Sequence, residues 1–162
     1  MFLIGPVLLG ATHIVGSTLV DDTSEIVRQR PAMVYATVSE ALATYPSSGT
    51  MQFESGPPVP YSISVDRSPS KQMVVHVKFN GREAGRIDLR FQPANGGKET
   101  LVIARVESDG KVVREELAGT EKAKLGYAPD WLLTFAFGRS LRESAQEIEQ
   151  GAIKANRAIS ST

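Results

Sequence analysis

The chain has 162 residues, 41% hydrophobic and 22% charged, a balance that suits one globular domain with a substantial core. Its 18 lysines and arginines match 18 aspartates and glutamates, so no net field draws it to nucleic acid or to a polyanion. Cysteine is absent and only His13 and His76 carry imidazoles, which excludes disulfides, thiolate metal sites and a cysteine nucleophile.

Residues 1–20 hold no charged side chain, and Phe2 to Ala11 is strongly apolar. A membrane helix needs about 20 apolar residues, and Thr12, His13, Ser17 and Thr18 dilute the second half of this stretch. Three readings stand: signal anchor, cleaved signal and buried N-terminal strand. The anchor is preferred, with residues 1–17 as the hydrophobic segment. The acidic flank of Asp21, Asp22 and Glu25 then disfavours a cytoplasmic domain, so the domain is expected at a membrane surface on the periplasmic or extracytoplasmic side.

Thr23 to Arg30 reads as extended. Pro31 suits the first turn of a helix, where its missing N–H leaves nothing unsatisfied, and Val34, Val38 and Ala41 or Leu42 give that helix one apolar stripe to about Ala43. Tyr45-Pro46-Ser47-Ser48-Gly49 and Gly56-Pro57-Pro58-Val59-Pro60 break the chain, with a short strand expected between them at Met51 to Glu54. Period-two alternation follows at Tyr61, Ile63 and Val65, at Met73, Val75, Val77 and Phe79, and at Ile87, Leu89 and Phe91, which predicts half-buried strands. Asn80-Gly81 supplies a tight hairpin turn, and Asn95-Gly96-Gly97 another. Leu101 to Glu107 is a further strand, and Ser108-Asp109-Gly110 is expected to turn into a last strand at Lys111 to Leu117. Pro129 and Asp130 open a long helix to about Gln150. Trp131, Phe135, Gly138, Leu141, Ala145, Ile148 and Ala152 lie on one side of it, and Arg139, Arg142, Glu143, Gln146 and Glu149 on the other.

This order predicts an α+β domain in which the apolar face of an antiparallel sheet of about six or seven strands is covered by a long C-terminal helix. The run Glu25-Ile26-Val27-Arg28-Gln29-Arg30-Pro31-Ala32-Met33-Val34-Tyr35-Ala36-Thr37-Val38-Ser39, a strand followed by a proline-alanine helix start with an aromatic, resembles the START-like, or Bet v 1-like, superfamily of SRPBCC type. That superfamily includes polyketide cyclases and lipid-transfer proteins. The resemblance spans roughly residues 18 to 152, within a domain drawn at 18–156 ahead of a tail at 157–162. It departs from the family pattern between the first helix and Tyr61, which is short and proline-rich where a second helix is usual. The resemblance implies a helix-grip fold, the antiparallel sheet curved around the long C-terminal helix with a cavity between them.

The residues themselves offer little catalytic chemistry. His76 shares the polar parity of Lys78 and reads as an exposed strand residue with no carboxylate at a metal-binding spacing. Glu83 and Asp88 read as a solvated sheet face, and Arg86, Arg90 and Arg105 as a mixed surface with Asp88, Glu99 and Glu107. No Gly-x-Ser-x-Gly elbow occurs, so triad hydrolysis is not expected.

The apolar constellation is more suggestive. Phe79, Leu89 and Phe91 on the sheet would face Trp131, Phe135, Gly138 and Leu141, either as walls of a ligand cavity or as plain core. A glycine inside a helix costs about 1 kcal/mol relative to alanine, and Gly138 would fit where a ligand needs room. The expected function is noncatalytic binding or transport of a small hydrophobic or lipid-like ligand by a membrane-tethered domain. No metal, cofactor or nucleic acid is expected. One alternative is an accessory subunit of a larger membrane complex, with Gly5, Gly10 and Gly16 allowing close helix contact. The other, implied by the resemblance alone, is a cyclase-like enzyme.

Overall fold

The computed structural model describes residues 12–15, 18–43, 46–121, 123 and 141–160. In chain order they form β1 (Thr12–Val15), β2 (Thr18–Val27), α1 (Pro31–Ala43), β3 (Ser48–Met51), β4 (Val59–Ser68), β5 (Gln72–Phe79), β6 (Arg82–Ala94), a single 3-10 turn (Asn95–Gly97), β7 (Glu99–Asp109), α2 (Gly110–Glu116) and α3 (Leu141–Ser160). The strands make one sheet in the order β1-β2-β7-β6-β5-β4-β3. Every pairing is antiparallel, and β1 and β3 stand at opposite edges, so the sheet is unclosed.

The pairing register explains the core. Directly opposed residues in an antiparallel ladder point to the same face, and Met73 meets Leu89, Val75 meets Ile87, Leu89 meets Ala104 and Phe91 meets Val102. These side chains are almost completely buried, together with Val77, Phe79 and Val106. The opposite parity carries Gln72, His76, Arg86, Asp88, Arg105 and Glu107, tied by ion pairs Arg86–Glu107 at 3.6 Å, Arg90–Asp88 at 3.6 Å and Arg105–Asp22 at 3.7 Å. Both the period-two strands and the mixed outer surface match the sequence reading. Asn80 and Gly81 adopt φ of 52° and 78°, the left-handed pair that a two-residue hairpin requires.

On the inner face, α1 places Val34, Tyr35 and Leu42 in the core, and the Tyr35 ring meets Phe91 edge-on at 5.3 Å. Thr100 Oγ1 donates to Gln29 O at 2.7 Å and so fixes the β2–α1 connection. The segment after β7 corrects the sequence reading: Lys111 to Leu117 is not a strand, because Gly110–Glu116 is helical. The paired valines suggest extended backbone, but Asp109 decides the matter as an N-cap. Its carboxylate accepts from the N–H groups of Lys111 and Val112 at 3.0 and 3.1 Å, satisfying donors that a new helix leaves open. The short strand expected at Met51 to Glu54 sits instead at Ser48–Met51.

Helix α3 lies against β2. Ala145 is buried in the core, Arg142 Nε reaches Glu25 at 3.3 Å, and Glu149 accepts from Arg28 N at 2.9 Å and from its side-chain Nε at 3.2 Å. The Arg28 hydrogen bond, over the opposing effect of desolvation, holds the Glu149 carboxyl below its ordinary value. From Arg142 to Glu149 a helix rises about 10.5 Å, and from Glu25 to Arg28 a strand advances about 10 Å; α3 therefore runs beside β2 in the same direction. The expected helix start at Pro129 and Asp130 lies outside the described residues. Thr12–Val15 pairs with β2, so the β1–β2 hairpin straddles the boundary drawn at residue 17. Among the described residues no helix is long and apolar enough to cross a membrane.

Candidate functional site

A half-open cleft of about 310 Å³ lies where the end of α1 overhangs β4. Leu42 and Ala43 form its roof, Pro46 and Ser47 one rim, and Ile63, Val65 and Arg67 its floor. The floor follows from strand geometry: these three residues share the parity of Val77, Val75 and Met73, their partners on β5, so all point to the inner face. Pro46 belongs to the break that ends α1, and β3 then pairs with β4 only from Val59 to Ser62. The edge of β4 beyond Ile63 is thus left without a pairing strand among the described residues. Arg67 brings the one charge to this recess of mixed polar and apolar lining, its Nε donating to Ser39 Oγ on α1 at 3.0 Å.

A second cluster lies on the outer face. His76 Nε2 stands 3.0 Å from Asp66 Oδ2, and its Nδ1 meets Glu83 Oε1. The spacing of residues along the chain offers His76 no carboxylate neighbour; the β4–β5–β6 register supplies two. They approach opposite ring nitrogens, so the three groups do not converge on a common point for a cation, and no metal-holding group is found among the described residues. Contacts at both ring nitrogens fasten three neighbouring strands here.

A third feature holds the β3–β4 connection. Glu121 accepts from the backbone N–H groups of Glu54 and Ser55, each at 3.0 Å, and from Ser55 Oγ at 3.1 Å. Desolvation pushes its carboxyl up, but the Ser55 and Glu54 amides, its own amide and the Ser55 hydroxyl outweigh that and bring it down to about 2. Because the folded value is depressed, this clasp contributes its full stability above the unfolded carboxylate range near 4.5 and loses it as pH falls towards about 2. Carboxyl-detected NMR should place the Glu121 midpoint near 2, with amide protection at Glu54 and Ser55 fading over the same interval. A midpoint at the ordinary glutamate value would show the clasp to be open in solution.

Of the ligand-facing candidates named from sequence, Phe79, Leu89 and Phe91 all fall in one buried cluster, where Phe91 is packed against Tyr35. Trp131, Phe135 and Gly138 lie outside the described residues, and Leu141 opens α3. The cleft residues are not among those candidates. Ile63 and Val65 show in the sequence only as strand alternation, and nothing there joins Arg67 to Ser39, 28 positions away.

No protein-family model and no curated protein matches the chain. Among solved structures it is similar to protein CV1439 from Chromobacterium violaceum, at TM-score 0.46 and 12% identity over 80% of this chain and 97% of that one. It is also similar to a Rhodobacter sphaeroides protein, at TM-score 0.46 and 13% identity over 89% and 97%. CalU16 from Micromonospora echinospora follows at TM-score 0.42 and 10% identity over 88% and 92%. None of these names states a ligand or an activity.

Proposed function

We propose that the chain binds a small hydrophobic or amphipathic molecule without transforming it, in the cleft between α1 and β4. The carrying observation is the recess itself: about 310 Å³ with apolar walls from Leu42, Ala43, Ile63 and Val65. Small-molecule sites occupy roughly 300–1,000 Å³, so a slender ligand suits this one. Its described lining offers packing surface, one hydroxyl and one guanidinium, which favours holding a guest over proton transfer. The START-like reading, with its lipid-binding members, is supported by the element order and by the Pro31 helix start. Tethering through the apolar run from Phe2 to Ala11, ahead of β1, completes the proposal and rests on its charge-free composition.

The delipidated full chain should take up decanol saturably, at one site, by titration calorimetry, and native mass spectrometry of the untreated protein should show a bound mass of small-lipid size. Ile63→Trp places an indole in the recess and should weaken decanol binding about tenfold or more. Absence of saturable uptake, or equal uptake by the Trp variant, defeats the proposal.

A further inference from the structure

We infer that the ligand of this cleft carries an anionic head of the carboxylate class, read by Arg67 at the end of an apolar chain. The inference rests on the binding reading above and adds the polar end of the guest. Arg28, Arg82, Arg86, Arg90, Arg105 and Arg142 each lie against a carboxylate. Arg67, by contrast, meets a neutral hydroxyl and no carboxylate among the described residues. That hydroxyl matters: by engaging Nε it fixes the plane of the guanidinium and leaves the two terminal nitrogens as a fork for a two-oxygen anion. The fork borders a recess whose other floor residues are Ile63 and Val65, so a charge sits at the end of an apolar track, the layout that an alkyl carboxylate matches.

The open edge of β4 adds backbone donors along the same strand. Ile63 N donates to Ser47 O at 2.7 Å, so its N–H points to the outer edge of β4. Strand periodicity sends the N–H groups of Val65 and Arg67 to that same edge. No described strand pairs with β4 there beyond Ser62, so these amides have no ladder partner among the described strands.

The test is titration of the delipidated full chain with decanoate, decanol and acetate at neutral pH. Decanoate should bind about tenfold or more tightly than decanol, acetate should bind far more weakly than either, and the preference for decanoate should shrink with added salt. Arg67→Gln should bring decanoate and decanol to equal affinity, while Arg67→Lys, which keeps the charge but not the fork, should retain part of the preference. Equal binding of the two long-chain ligands by the unmodified protein overturns the anionic head and leaves the apolar site standing. A preference that survives in Arg67→Gln shows that another cation reads the head. Acetate binding as tight as decanoate makes this a free-anion site. If none of the three binds, the cleft reading falls as well. Should Arg67→Gln unfold, the Lys variant and the salt dependence still decide.

Discussion

Phe91→Ala is expected to lower the unfolding free energy by about 3–5 kcal/mol. Phe91 is almost wholly buried, opposes Val102 in the β6–β7 ladder, and packs its ring against Tyr35 of α1. Truncation therefore removes transfer energy, leaves a void between sheet and helix, and deprives Tyr35 of its aromatic partner. Urea unfolding monitored by far-UV circular dichroism measures the change. Tyr35→Phe is the companion: the buried Tyr35 hydroxyl has no hydrogen-bond partner among the described residues, so its removal should cost little while the ring contact is kept. A loss below about 1 kcal/mol for Phe91→Ala would mean that the inner face of β6 is not packed as core.

Gly56→Ala should cost about 2–4 kcal/mol, from left-handed backbone strain and a clash acting together. Gly56 has φ of +90°, and a Cβ built there would sit 2.4 Å from Gly119 O and 2.7 Å from Gly119 C. Both atoms are backbone and cannot swing aside, so the β3–β4 loop would have to lift from the turn after α2. The Glu121 clasp that ties the same two segments would open with it. Gly81→Ala separates the two contributions. Gly81 has φ of +78°, and no atom of the described residues lies within 4 Å of where its Cβ would sit, so it should lose only about 1–2 kcal/mol for the backbone. Comparable losses at both glycines in thermal or urea unfolding would show that the loops do not touch in solution.

The contrast between these sites marks what the sequence could and could not disclose. The inner faces of β5 and β6 are legible because side-chain parity alone determines them, and Asn80-Gly81 announces its hairpin through backbone chemistry. Helix α2 is hidden because Val112 and Val113 carry a β-branched preference, which the capping carboxylate of Asp109 overrides. Contacts set by register or by docking are equally out of sight. His76 finds Asp66 ten positions back and Glu83 seven ahead, and Glu121 finds Ser55 across 66 positions. The candidate site belongs to this second class. Its apolar floor is visible as strand alternation, whereas the roof depends on where α1 stops relative to β4, and the Ser39–Arg67 bond depends on that docking.

The short reach of β3 has a bearing on how copies of this chain meet one another. An uncovered strand margin is a template on which a neighbouring molecule can zip up, and proteins commonly blunt such margins with charge. Here Asp66 is held by His76 and Arg67 by Ser39, pinning opposite charges on the two faces of the free portion of β4. An incoming ribbon would have to desolvate both at once, so the free portion of β4 is poorly suited to edge-to-edge pairing.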